Sequence, residues 1–184
     1  MEPRRYWGSL CAIFGSIGFI AIVLILHLLQ PGYDMRNQLM SELALGAYGW
    51  AMLPAFFCLA ACVFGLQAAL RVFEGTVVLR WVLAAAALCF LASGIFPLGR
   101  DSDLHILFIA LGFILSVLGM YLFPSMAGRA MARIPKAFSW ILAGGVAASV
   151  ALGHSVLPVG IGQRLAATCL LLWFGVVGWR LRRP

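Results

Sequence analysis

A chain of 184 residues that is 64% hydrophobic and only 10% charged holds more apolar surface than a water-soluble core can absorb, since soluble domains run at about a quarter charged. The bilayer is the alternative solvent. There each span needs about 20 apolar residues that pair their own backbone groups, which selects helices. The net charge of +7 does not point to nucleic acid, because the basic residues sit in short clusters beside apolar runs, the pattern of topology signals and anionic-lipid contacts.

Arg4 and Arg5 precede an apolar run over residues 7–29. It is too long for a signal-peptide core and ends at His27-Leu-Leu-Gln30-Pro31 without a small-residue cleavage site, so it is expected to remain as a first span. Residues 27–42 then form a polar island holding His27, Tyr33, Asp34, Arg36, Ser41 and Glu42. A second run covers 44–70 and ends at Arg71; Pro54 inside it is expected to remove a backbone hydrogen bond and kink the helix. After Glu74 and Arg80 a third run covers 77–96. Arg100-Asp101-Ser102-Asp103 leads into a fourth over 104–123, closed by Pro124.

A connection with Arg129, Arg133, Pro135 and Lys136 leads to a fifth run over 138–156. The turn Pro158-Val-Gly160-Ile-Gly162-Gln163-Arg164 opens a sixth over 165–181, and Arg180, Arg182 and Arg183 follow. The expected fold is all-α: one integral membrane domain over residues 1–184, with six transmembrane helices in three hairpins and connections too short to hold another domain. Cys11, Cys58, Cys62, Cys89 and Cys169 all fall inside apolar runs without a CxxC pair, and so read as small buried hydrophobes.

If the N-terminus is cytoplasmic, ten of the thirteen basic residues lie inside, leaving Arg36, Arg100 and Arg164 outside. That bias predicts both termini inside and a multi-pass protein of the cell inner membrane. Four of the six acids (Asp34, Glu42, Asp101, Asp103) and all three histidines then fall on the external side. His27 and His154 each precede a proline by four residues, about 6 Å below a helix end, and His105 is in the first turn of the fourth span.

Ionisable groups at membrane depth face a bundle interior or a wet cavity, which makes this external set the candidate site. His27, His105 and His154 are candidate general bases or metal ligands, Asp34 and Asp101 candidate catalytic or orienting carboxylates, and Arg36, Arg100 and Arg164, with Glu42, Ser41 and Tyr33, candidate ligand-binding groups. Ser41-Glu42 and Ser102-Asp103 also suit helix caps. Arg164 opposes the dipole at its helix start, so it is expected to pair with Asp34, Glu42, Asp101, Asp103 or an anionic ligand. Gly145, Ser149 and Gly153 form a small-residue stripe that permits close helix approach.

Two function classes follow. One is a pocket in the outer leaflet that binds or modifies a lipid or other amphiphile; three histidines with a carboxylate also suit zinc, and a pair such as His27 and His154 suits haem. The other is a small transporter or accessory protein, although no charged midplane residue or broken-helix pair marks a carrier. The sequence specifies neither a metal or cofactor nor an oligomeric state.

The segments Pro31-Gly-Tyr33-Asp34 with Ser41-Glu42-Leu43, Gly94-Ile-Phe96-Pro97 with Asp101 and His105, and Gly162-Gln163-Arg164 together resemble the prokaryotic membrane family catalogued as domain of unknown function 998. The resemblance covers most of the chain. It implies six helices and an external polar site, and brings no reaction with it. The inventory of His, Asp and Ser is also similar in kind to that of the alkaline ceramidase and adiponectin receptor superfamily, whose seven helices and paired HxxxH-type motif have no match here.

Overall fold

The computed structural model describes residues 2–127, 134–153 and 155–182. Six long helices lie among them: α1 (Pro3–Leu29), α2 (Met52–Ala69), α3 (Val77–Ile95), α4 (Ser102–Met126), α5 (Lys136–Leu152) and α6 (Val159–Arg182). No strand occurs among the described residues. Five segments are long and apolar enough to cross a membrane, namely α1, α3, α4, α6 and the stretch Gly49–Val72 that contains α2. The apolar α5 is shorter, at 17 residues.

Local sequence explains the ends. Pro3 opens α1, where a missing N–H costs nothing because the first turn has no intrahelical acceptor. The same argument corrects the expected kink at Pro54, which is the third residue of α2 and so removes no helical hydrogen bond. Pro124, expected to close the fourth run, is carried inside α4, which continues to Met126. The second helix also starts later than residue 44: Met40–Leu45 and Gly49–Ala51 form two short 3₁₀ turns instead. Gln30 Nε2 holds the first by donating to the Leu43 carbonyl at 3.0 Å. Gly49 lies so close to the Ala44 backbone that a β-carbon there would overlap it.

Each helix packs on its neighbours in sequence, and α6 returns to α1 to close the ring, with further contacts to α2 across the middle. The α1–α2 seam is backbone on backbone: a β-carbon on Gly8 would sit 2.6 Å from the Gly65 carbonyl, and one on Gly15 2.5 Å from that of Cys58. Phe19, Phe56, Phe90, Phe123, Trp173 and Phe174 fill the interior. Trp173 meets Phe123 edge-on at 5.4 Å and spends its one N–H on Ser139 Oγ at 2.8 Å, satisfying the polar end of a buried indole. The small-residue stripe of α5 faces α6, where Gly162 abuts Gly153 and Ser149, and Gly145 faces Cys169.

Candidate functional site

The polar island is a loop that ties itself and is then fastened to two helices. Asp34 accepts the Arg36 N–H at 2.9 Å and the Asn37 amide at 2.7 Å. The Asn37 bond first, then the Arg36 N–H, hold its carboxyl below the usual carboxylate range. Glu42 accepts the Leu39 N–H at 2.8 Å and the Gln38 amide at 3.3 Å, so it does act as a cap.

Arg164, on the second turn of α6, is the fastener. Its Nη1 donates to the carbonyls of Gln38 at 3.1 Å and Gly160 at 2.9 Å, and its Nη2 donates to Tyr33 Oη at 2.6 Å and lies 2.9 Å from His27 Nε2. His27 Nδ1 lies 2.6 Å from the Val23 carbonyl. A carbonyl can only accept, so Nδ1 carries the ring proton and Nε2 offers its lone pair to Arg164. Tyr33 completes the knot: it donates to the Leu39 carbonyl at 2.7 Å, sits under the guanidinium at 5.5 Å, and meets the His27 ring edge-on at 5.0 Å. Burial raises the Tyr33 phenol above its ordinary value, with the Arg164 bond opposing. It therefore stays a neutral donor throughout the physiological range.

Every polar partner of Arg164 among the described residues is thus neutral, where a carboxylate or an anionic ligand was expected. The reason lies in the loop: Asp34 and Glu42 spend their oxygens on its own N–H groups. Among the described residues the one ion pair is Arg100 with Asp101, at 3.6 Å on the surface.

His27, Tyr33 and Arg164 therefore converge, whereas His105 is placed elsewhere. It is buried, with Nδ1 shared between the carbonyls of Ser93 at 2.8 Å and Phe96 at 3.1 Å and its ring edge-on to Phe56 at 5.5 Å. Its Nε2 is buried with no partner among the described residues. Ser41 is buried and Arg36 exposed. Arg100, Asp101 and Asp103 stay at the head of α4, where Ser102 Oγ accepts the Gly99 N–H at 2.9 Å. His154 lies outside the described residues, as do Arg129, Arg133 and Arg183. Among the described residues, no three of His, Cys, Asp and Glu are grouped so as to hold a metal ion.

The amides are what residue-by-residue reading of charged groups passes over. Gln163 Oε1 accepts the Met40 N–H at 2.6 Å, joining the loop to α6 one residue before Arg164. Gly160 lies under the loop, where a β-carbon would come within 2.7 Å of the carbonyls of Met35, Arg36 and Gln38. The available signal was the run Gly160-Ile-Gly162-Gln163-Arg164, in which small residues let the loop backbone approach and polar ones then fasten it.

Beside this knot runs an apolar crevice of about 450 Å³ between α4 and α5. Ile109, Phe113 and Val117 wall one side and Val146, Ala147 and Val150 the other, while Leu39, Val159 and Gln163 close the loop end. Ala110, Ile114, Ala147 and Val150 on its walls are exposed, so it opens on the outside of the bundle. A small cavity of about 30 Å³ between Phe19, Phe56, Phe90 and Leu170 shares Ile109, Phe113 and Gln163 with the crevice as a partition.

Long apolar helices closed by a fastened polar loop define a multi-pass membrane protein. A family model described as a protein of unknown function (DUF998) matches residues 13–180, and the chain belongs to that family. No curated protein and no solved structure matches it.

Proposed function

We propose that this is a six-span, single-domain protein with both termini cytoplasmic, and that its crevice between α4 and α5 binds a lipid or other amphiphile in the extracytoplasmic leaflet of the cell inner membrane. On this reading α5 is the sixth span; at 1.5 Å per residue its 17 residues give about 26 Å, slightly short of a hydrocarbon core of about 30 Å. The observation that carries the proposal is the crevice itself, an apolar space of about 450 Å³ that opens through exposed side chains on the outer surface. This size falls in the range of small-molecule sites, which are mostly apolar with a few placed polar groups.

The knot gives the crevice a fixed end. Arg164, His27 and Tyr33 hold the loop, and the loop contributes Leu39 to the crevice and fixes Gln163 through Met40. With His27 Nε2 occupied by Arg164, binding is the function the geometry supports. Mass spectrometry of the intact protein released from lipid-containing micelles tests it. The unaltered protein should retain lipid at about one per chain, and Ala147→Trp, which fills the crevice from an exposed wall, should retain none. Equal retention by the two would overturn the proposal.

A further inference from the structure

The end of the bundle opposite the knot is gathered by a second arginine. Arg5 Nε donates to the Leu181 carbonyl at 2.6 Å, and its guanidinium lies over the Phe73 ring at 5.5 Å. A β-carbon on Gly75 would lie 3.7 Å from the Met126 carbonyl. The start of α1, the turn between α2 and α3, and the ends of α4 and α6 thus share one side. Exposed Trp7, Trp81 and Trp179 stand there, and exposed indoles on a membrane protein mark the level of the headgroups.

Arg80, the fourth residue of α3, is half-buried at this level. Its Nε is buried without a hydrogen-bond partner; among the described residues its Nη atoms are neither bonded nor buried. The turn before it explains why. Thr76 Oγ1 occupies the carbonyls of Leu70 and Phe73 at 2.9 and 2.8 Å, and the Thr76 carbonyl takes the Arg80 backbone N–H at 2.9 Å. No carboxylate side chain serves it either. All six acids of the chain are among the described residues: Asp34, Glu42, Asp101 and Asp103 lie toward the opposite end, and the exposed Glu2 and Glu74 form no ion pair with it, the one such pair being Arg100 with Asp101.

An arginine that only snorkels carries its whole head into water. Arg80 instead holds one N–H against the protein with nothing to accept it, which is costly. A rotation about its terminal bonds brings Nε round to the open Nη edge, and that edge is the fork that grips two oxygens of a phosphate. We infer that Arg80 binds the phosphate of an anionic phospholipid, Nε and one Nη each donating to a phosphate oxygen. The apolar chains of Val77, Val78 and Trp81 beside it are exposed, so acyl chains cover what an aqueous phosphate would leave in water. A zwitterionic headgroup carries its own cation, whereas an anionic one has a charge left for Arg80. On the proposed topology this is the cytoplasmic leaflet, and Arg80 is not among the residues that line the crevice.

The test titrates purified full-length protein, stripped of lipid in detergent, with dioleoyl phosphatidylglycerol, dioleoyl phosphatidylcholine or inorganic phosphate. Phosphatidylglycerol should bind about tenfold more tightly than phosphatidylcholine, as expected for one charge-assisted hydrogen bond, and should raise the thermal midpoint by about 3 °C more. Inorganic phosphate should do neither. Arg80→Met should abolish the preference, and without lipid it should be at least as stable as the unaltered protein, because it deletes a partly buried unmatched cation. Arg80→Lys, which keeps the charge but not the fork, should weaken the preference. Arg71→Gln, which removes an exposed cation just beyond α2, should keep it, as should Ala147→Trp with its crevice filled. Equal binding of the two lipids by the unaltered protein would overturn the inference without any variant. So would a preference that Arg71→Gln reduces as far as Arg80→Met does, which would assign it to summed surface charge, or an Arg80→Met chain that fails to fold, which would make Arg80 a structural group. Full retention by Arg80→Lys would overturn the fork, and inorganic phosphate matching phosphatidylglycerol would give the site to a free anion. Loss of the preference in Ala147→Trp would place the lipid in the crevice and overturn the Arg80 site, whereas failure of the crevice to retain lipid leaves the preference intact.

Discussion

The α1–α2 seam and the α4–α5 seam join helices of similar apolar content, yet one is closed and the other open. At the first, glycines let the backbones touch: β-carbons on Gly8, Gly15 or Gly65 would all come within 2.6 Å of a carbonyl oxygen on the facing helix. At the second, Ile109, Phe113 and Val117 of α4 and Val146 and Val150 of α5 border a gap of about 450 Å³ that their branched or aromatic chains leave unfilled. In a membrane, where lipid tails are as apolar as leucine, helices associate through close packing. The closed seam is therefore where stability resides, and the open one is where a ligand can bind without opposing it.

The largest effect should come from forcing a side chain into the closed seam. Gly15→Leu has no flexible neighbour to yield, because the nearest atoms are the Cys58 carbonyl and the Cys62 backbone. Overpacking typically costs 1–3 kcal/mol, and with backbone on the opposing side a loss of about 4 kcal/mol or more is expected. The control lies beside the open seam: Gly144 has nothing within 4 Å of its notional β-carbon, so Gly144→Ala should stabilise by up to about 1 kcal/mol through helix propensity. Denaturant unfolding in detergent measures both. Equal responses would show that the two seams do not differ.

Next is the knot. Arg164→Gln loses bonds to Tyr33, His27 and the Gln38 carbonyl. Hydrogen bonds to a charged donor contribute about 1.5–3 kcal/mol each, but the loop can rehydrate when released, so a net loss of about 2–4 kcal/mol is expected. Because the protein partners are neutral, adding lipid should not restore the lost stability. A midpoint shift that lipid reverses would show that the guanidinium serves a ligand rather than the loop.

The helical class was legible because it follows from composition and run length, which act along the chain without reference to partners. The later start of the second helix was not, since residues 44–51 are apolar enough to be helical and yield to a tertiary bond from Gln30 to the Leu43 carbonyl. The site was legible in part. Depth alone grouped His27 with His105, but direction around a helix is set by packing, which turns His27 toward Arg164 and His105 toward Phe56. The carboxylate half of the expectation for Arg164 was not met, because carboxylates were counted without asking which loop N–H groups they already serve. The crevice could not be read at all. It is a property of how two helix faces mismatch, and no single residue announces it.

On the open seam, Ala147→Trp should change stability little, within about 1 kcal/mol, because the position is exposed and surface substitutions usually fall within half a kcal/mol. Its effect should fall on lipid retention alone. A loss comparable to that of Gly15→Leu would show α4 and α5 to be joined more tightly than the unfilled space implies.

The smallest effect concerns the exposed turn of the loop that fixes the crevice's end. Asp34 has its carboxyl held below the usual range, the Asn37 amide contributing most and the Arg36 N–H next, so the folded loop favours the charged form. A lowered value contributes stability that is fully present above the unfolded carboxylate range, about 3.9, and is lost as pH falls through the lower folded value. The turn should therefore keep its geometry at pH 5 and above and loosen only in more acidic solution. The amide proton of Arg36 reports this directly, because its acceptor is Asp34 Oδ1. Followed by NMR, its shift should move in one step below the ordinary carboxylate range. In Asp34→Asn, which retains a carbonyl for Arg36 but cannot titrate, that step should vanish. A shift that moves near neutrality, or that persists in Asp34→Asn, would mean that the turn answers to another group and that Asp34 does not hold this edge of the loop.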